Sequence, residues 1–219
     1  MRQRAVKIIE ILEETYPDAK TTLDASSPWE LLCGAILASQ CTDERVNKIT
    51  PQLFATYPSI SAMAEAELSD IEELIRSCGI YRNKARGLKG SAREILDKYD
   101  GEVPQSREQL MALPGVGRKI ANLILGDAFG EQAVVVDTHC ARISKLLGLT
   151  SEKDPLKVER DLEKVLPATS YTDWGHYMVF HGREICKARC RQCVACPLNQ
   201  LCAYGRKQDL EAKEVGDCV

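Results

Sequence analysis

Apolar residues recur along this chain at helical spacing, and the punctuation between the apolar runs is helix punctuation. Ser27-Pro-Trp-Glu30 combines an N-cap serine, proline at the first helical position and a glutamate two residues on, a capping box that opens a helix carrying Leu31, Leu32, Ile36 and Leu37. That helix is apolar nearly all round, which places it at the centre of a core. Ser69-Asp-Ile-Glu72 reads as a second box, with Gly79 closing the helix it opens. An amphipathic segment runs from Arg82 to Tyr99 and ends at Gly101, and Asp154-Pro155 caps a helix that reaches Leu166 and stops before Pro167. Ser106 to Ala112 and Arg118 to Phe129 read as two helices on either side of the turn LPGVG. Only Val134-Val-Val136 reads as strand, and three residues make no sheet, so the predicted fold is all-α. No internal repeat is present, and the charged tail after about Tyr204 is expected to be disordered.

A length of 219 residues allows one sizeable core or two smaller ones. Apolar residues make up 44% and charged residues 28%, as in an ordinary soluble globular protein. The longest apolar run, Leu31 to Ala38, is far short of the roughly 20 residues that cross a bilayer. The opening MRQRAVKIIE lacks the apolar region of a secretory signal, so a cytoplasmic location is expected.

A net charge of −3 argues against a nucleic-acid partner if only totals are counted. The distribution changes the picture. Between Leu74 and Arg93 stand six cations, Arg76, Arg82, Lys84, Arg86, Lys89 and Arg93, and no acid. A second group, Arg183, Lys187, Arg189 and Arg191, is diluted only by Glu184. Taken alone such runs are solvated surface; beside a phosphate-binding motif they read as a DNA-facing surface.

LPGVGRK, Leu113 to Lys119, is the candidate for that motif. Gly115 and Gly117 let the backbone turn tightly and approach a ligand, and the amides of the turn and of the helix start behind it form an anion site. A plain helix-helix turn has the same form. What needs explaining is the pair of cations, Arg118 and Lys119, at the positive end of a helix, where each opposes the macrodipole by roughly 0.3–1 kcal/mol. Arg118 reads as a second phosphate contact. Neighbouring residues project about 100° apart, so Lys119 points elsewhere. A lysine partly desolvated beside other cations is also how enzymes obtain a neutral amine nucleophile. A second phosphate-binding lysine is the plainer alternative.

Five of the ten cysteines fall between Cys186 and Cys202, a clustering that reads as metal ligation. Of the others, Cys33 and Cys78 sit in apolar helical patterns as small buried hydrophobes, while Cys41, Cys140 and Cys218 are scattered. Two ligand sets fit: Cys186, Cys193, Cys196 and Cys202, or Cys190 with the last three, which begins like a ferredoxin. Structural zinc competes with an iron-sulfur cluster, although zinc knuckles usually stand further apart.

Taken together, LPGVGRKIANLIL, VDTHCAR, SQCTDERVNK, SCGIYRNKA, HGREIC and the cysteine cluster resemble the endonuclease III family of helix-hairpin-helix DNA glycosylases, over essentially the whole chain. The resemblance implies two helical domains flanking a DNA-binding cleft. One is a six-helix barrel over 21–131 with its helix-hairpin-helix at about 106–129; the other, residues 1–20 with 132–219, is an iron-sulfur cluster domain. It implies base excision repair: a glycosylase and AP lyase that removes oxidised pyrimidines from duplex DNA and cleaves 3′ to the abasic site by β-elimination. Lys119 would be the nucleophile at C1′, assisted by Asp137, which also reads as a helix N-cap. Across the cleft these two would face each other. Gln40 would fill the gap left by the flipped nucleotide and Ile80 would wedge between bases, with isoleucine where the family commonly shows leucine. Leu113, Gly115, Gly117 and Arg118 would hold the backbone, as would Lys187, Arg189 and Arg191 on the cluster loop. Asp43 and His139 match supporting positions; His176 and His181 read as packing or surface residues. The family's C-x6-C-x2-C-x5-C pattern selects Cys186, Cys193, Cys196 and Cys202 for a [4Fe-4S] cluster and leaves Cys190 as an extra cysteine. The implied partner is double-stranded DNA with damaged pyrimidines or abasic sites, bound by a nucleoid-associated monomer without a membrane. Two rivals are an adenine-mismatch glycosylase, against which Lys119 and the short chain argue, and a non-catalytic DNA-binding module.

Overall fold

The computed structural model describes residues 1–211. Among them the regular structure is helical: α1 (Arg2–Thr15), α2 (Pro28–Leu37), α3 (Asp43–Thr56), α4 (Ile60–Glu65), α5 (Leu68–Leu74), α6 (Tyr81–Lys98), α7 (Arg107–Ala112), α8 (Arg118–Phe129), α9 (Thr138–Leu147), α10 (Pro155–Val165), α11 (Tyr171–Glu184) and α12 (Ala203–Glu211). The all-α expectation holds. Among the described residues β pairing is limited to an isolated antiparallel bridge between Cys186 and Arg191. No helix among them is long and apolar enough to cross a membrane. The chain divides into two compact units, one of Thr21–Glu131 and one of Met1–Lys20 with the chain from Gln132 onward.

In the Thr21–Glu131 unit, α2 is the central helix. Every residue from Leu31 to Leu37 is buried, and the helix packs against α3, α6 and α8. Ser27 caps it, its hydroxyl accepting from the Glu30 amide at 3.2 Å. The reciprocal half of the box is shifted by one residue, because the Glu30 carboxylate accepts from the amide and hydroxyl of Ser26 at 2.7 and 2.6 Å. The second predicted box is displaced too. Helix α5 starts at Leu68 with Glu67 at the cap position, and Ser69 instead donates to the Asp70 carboxylate. It stops at Leu74, and a short 3-10 turn, Arg76–Cys78, leads to Gly79 at φ 56.

The hairpin between α7 and α8 is a turn closed by the Val116 amide donating to the Leu113 carbonyl at 3.1 Å. It lies against a small-residue face of α6. Gly115, at φ 82, would put a Cβ 3.3 Å from the Gly87 Cα, and a Cβ on Gly90 would meet Pro114 Cγ at 3.0 Å. Ser91 Oγ donates to the Pro114 carbonyl at 2.8 Å. Leu113 and Val116 turn inward and are buried. The hairpin therefore sits by close backbone approach, and a Cβ on Gly90 or Gly115 would crowd it.

The other unit buries Ile8, Leu12, Cys140, Ile143, Leu147, Val158, Leu162, Trp174 and Met178 in one core. The apolar run Val134–Val136 forms no strand. Val134 and Val135 are buried, and a Cβ on Gly175 of α11 would stand 3.2 Å from the Val135 Cβ. The run is apolar because it packs against a helix. Asp154 caps α10 through the Lys157 amide at 3.0 Å. The expectation of a disordered tail after Tyr204 is corrected by α12, which runs to Glu211; residues 212–219, Cys218 among them, lie outside the described residues.

The hairpin packing yields a stability contrast. Gly115→Ala forces a Cβ into a left-handed conformation against Gly87 and should cost about 1–3 kcal/mol in urea unfolding. Gly117→Ser, at a position with φ −93 and open space around the Cα, should be neutral or better because serine is a good N-cap. The opposite order would contradict the packing described.

Candidate functional site

In the Thr21–Glu131 unit the exposed features gather on three loops. On the hairpin, Pro114, Gly115 and Gly117 are exposed, and Gly117 occupies the N-cap of α8 with no side chain to bind the amides of the first turn. Those amides remain open to an anion. Arg118 is half-buried and Lys119 is exposed.

Gln40 and Ile80 sit on the other two loops. Both are exposed and both adopt the left-handed backbone region, at φ 54 and φ 48. For a β-branched residue that conformation is a real strain, and Ile80 holds it at the N-cap position of α6 with half of its surface exposed. Asp43, in the first turn of α3, accepts from the Thr22 hydroxyl at 2.5 Å, which ties the segment entering the unit to α3.

The run of six cations divides in two. Lys84 is buried and donates to the Cys78 carbonyl; Lys89 donates to the Ala66 carbonyl and Arg93 to the Ala64 carbonyl, so both bind the end of α4. These three bind main-chain carbonyls, which sets them apart from the rest of the run. Arg76 and Arg82 are exposed and flank the Tyr81 ring at 6.0 and 5.4 Å, and Arg86 is exposed.

In the other unit, Asp137 is the N-cap of α9, its Oδ1 accepting from the Cys140 amide at 2.7 Å. Its Oδ2 takes no hydrogen bond among the described residues, so capping leaves one carboxylate oxygen available. His139, two residues on, lies against Gly182 of α11: a Cβ there would fall 2.1 Å from His139 Nδ1. The glycine of the HGREIC motif is thus required by the imidazole. Arg142 Nη2 stands 3.5 Å from the same nitrogen.

Cys186, Cys193, Cys196 and Cys202 line one cavity with Leu147 and Leu198; Cys190 is exposed and outside it. Burial, and further on the neighbouring thiols, push the Cys196 thiol up to about 11. Two basic groups reach the sulfurs: Arg142 Nη1 donates to Cys186 Sγ at 3.6 Å, and His181 Nε2 is 3.6 Å from Cys196 Sγ. His181 is buried, its Nδ1 is 3.1 Å from the Tyr16 hydroxyl, and burial first and Arg142 second hold its pKa down at about 4. Neither Arg142 nor the contact of His181 with Cys196 is readable from sequence spacing. No three His, Cys, Asp or Glu side chains among the described residues converge on a point that holds a single ion. The loop from Cys186 to Cys193 is pinched by the bridge at Arg191 and by the Gln192 amide donating to the Ile185 carbonyl at 3.1 Å. Lys187 and Arg189 are exposed on its tip, whereas Arg191 is half-buried with its guanidinium 5.1 Å from the Tyr204 ring.

A hairpin between helices with open amides, followed at once by an exposed lysine, defines a helix-hairpin-helix protein, and comparison with known proteins agrees. Residues 33–168 match the HhH-GPD superfamily of base excision DNA repair proteins. The chain is 48% identical over 202 residues to endonuclease III of Synechocystis, covering 92% of each, and 38% identical over 209 residues to that of Escherichia coli, covering 95% of this chain and 99% of the other. A solved endonuclease III trapped as a covalent intermediate with DNA superposes with a TM-score of 0.90 at 42% identity, over 95% of this chain and 99% of that one. A thermostable thymine-DNA glycosylase at 23% identity, TM-score 0.85 over 94% of this chain and 98% of that one, shares the fold. The chain belongs to the HhH-GPD superfamily. Within it, the chain belongs to the endonuclease III family.

The division of the cations is measurable. Lys89→Met should lower stability by on the order of 1 kcal/mol, through the lost charged hydrogen bond. It should leave unchanged the slope of log Kd against log salt for duplex DNA. Arg118→Met should reduce that slope by about 1. A reduced slope for Lys89→Met would place that lysine on DNA instead.

Proposed function

We propose that Lys119 is the nucleophile of a bifunctional glycosylase acting on duplex DNA that contains oxidised pyrimidines or abasic sites. Membership of the endonuclease III family makes the protein a base excision repair DNA glycosylase and AP lyase. The observation that carries the finer reading is the setting of Lys119. It is an exposed primary amine in the first turn of α8, directly behind the open amides of a hairpin that α6 holds in place.

A base inside the duplex offers no line of attack at C1′, so the damaged nucleotide is first flipped out, at a cost of a few kcal/mol that weakened pairing reduces. Gln40 and Ile80 are assigned to the space it leaves. Phosphates seated on the hairpin amides and Arg118 bring the sugar to Lys119, and cover by DNA removes the amine from water, which favours its neutral form. Nitrogen attack at C1′ expels the base with its bonding electrons, and the opened sugar and the lysine form an imine. The imine acidifies the C2′ proton; its removal expels the 3′ phosphate and breaks the strand. Asp137 is assigned to stabilising positive charge on the sugar or moving protons, because a carboxylate raises rather than lowers the pKa of a neighbouring amine.

Four thiols line the one cavity, a donor set that suits a [4Fe-4S] cluster, and their close spacing along the chain supports it over zinc, whose knuckles usually stand further apart. Cys186, Cys193, Cys196 and Cys202 would hold the cluster, with Arg142 and His181 beside two of its sulfurs. With such a group held, Cys186 just past α11 would be tied to Cys202 just ahead of α12, which would fix the loop that presents Lys187 and Arg189.

Borohydride should join the wild type covalently to an abasic-site duplex, and Lys119→Ala should form no such product while still binding the duplex. A wild type that traps nothing on abasic or oxidised-pyrimidine substrates favours the non-catalytic module. In the purified protein, Cys190→Ser should retain the visible absorbance of the cluster and Cys193→Ser should lose it; the reverse result rejects the ligand set.

A further inference from the structure

The imidazole of His181 connects the first helix of the chain to the cysteine cavity. Helix α1 ends at Thr15, and Tyr16 caps it, its amide donating to the Leu12 carbonyl at 2.8 Å. The Tyr16 hydroxyl lies 3.1 Å from His181 Nδ1, and His181 Nε2 lies 3.6 Å from Cys196 Sγ. Both side chains are buried, at 6% and 2% exposure. Their rings meet edge to face, with centroids 6.0 Å apart and planes at 72°, and the Phe180 ring stands 6.1 Å from that of Tyr16. His181 also lines the cavity that Cys186, Cys193, Cys196 and Cys202 share. From the sequence it reads as a packing or surface residue; in the fold each ring nitrogen has its own partner, and the packing holds the ring between them.

The two partners decide where the proton sits. A cysteine that ligates iron does so as a thiolate, which accepts hydrogen bonds and donates none. The imidazole nitrogen facing it must therefore carry the proton. In a neutral imidazole the second nitrogen is then an acceptor, and the Tyr16 O–H is placed to donate to it. We propose that His181 is a positioning residue for the iron-sulfur group, its Nε2–H donating to the Cys196 sulfur in a tautomer that the Tyr16 hydroxyl fixes. This rests on the assignment of the four cysteines as cluster ligands. A donor on a ligating sulfur offsets part of its negative charge, which favours the more electron-rich state of the group and slows loss of the ligand. Helix α1, from the far end of the chain, thereby takes part in holding the cluster.

The test uses the purified holoprotein without DNA and reads two quantities. One is the rate at which visible absorbance is lost in the iron chelator bathophenanthroline disulfonate. The other is the ratio of oxidised to reduced cluster at the midpoint potential of the wild type. In His181→Leu the loss should be about tenfold faster, and the ratio should rise at least about threefold toward the oxidised form. His181→Gln, whose amide can place an N–H toward the same sulfur, should recover most of both changes. Tyr16→Phe keeps the ring and removes only the hydroxyl, so it should move both quantities in the direction of His181→Leu by a smaller factor. An unchanged ratio in His181→Leu and Tyr16→Phe would overturn the proposal, as would a folded His181→Gln that behaves like His181→Leu, since packing of the ring would then be its whole role. Iron and acid-labile sulfide analysis of the wild type separates the two levels. Zinc in place of both would overturn the cluster assignment and this role of His181 with it, whereas iron and sulfide with unmoved variants would overturn the role of His181 alone.

Discussion

The close approach of the hairpin to α6 is the constraint on which the rest depends. A Cβ on Gly115, already in the left-handed region at φ 82, would crowd the Gly87 Cα at 3.3 Å, and Ser91 holds the Pro114 carbonyl from the same helix face. With the turn fixed in this way, the first amides of α8 face outward without a capping side chain, and Lys119 stands exposed in the first turn. A side chain at the N-cap would satisfy those amides and remove the anion site. The glycines are needed at both ends of the argument: they let the hairpin dock, and they leave its outer surface bare.

Helix α6 links this arrangement to the loops beside it. Its face toward the hairpin is Gly87, Gly90 and Ser91; its Lys89 and Arg93 hold the end of α4; and its first turn begins at the strained Ile80. The cations of this run therefore differ in their surroundings: Lys84, Lys89 and Arg93 bind main-chain carbonyls, and Arg82 stands 3.8 Å from the Glu72 carboxylate. A lysine that binds a helix-terminal carbonyl is lost to phosphate, so the electrostatic footprint is smaller than the charge count implies.

Much of this was legible locally. Ser27, Ser106 and Asp154 cap the helices that follow them because capping depends on residues within one turn. Helix α3 was less legible, since Pro51 lies inside it and the surrounding packing overrides the break. Ser69 misled because the cap fell to Glu67, and Val134–Val136 looked like strand because burial against α11 produces the same composition. The family motifs brought Lys119, Asp137 and the cysteines into view, but not their surroundings. The exposure of Lys119, the imidazole of His139 resting on Gly182, and the approach of Arg142 and His181 to the sulfurs arise from contacts between residues far apart in sequence. Spacing left two cysteine ligand sets open; in the fold Cys190 lies outside the cavity that the other four share.

The proposed chemistry turns on one atom, the nitrogen of Lys119, and the site of covalent attachment is its most direct measure. A borohydride-reduced conjugate with an abasic-site duplex, digested with nuclease and a protease and sequenced by tandem mass spectrometry, should carry the deoxyribose remnant on Lys119. Attachment to another lysine, or to the amino terminus, would contradict the account.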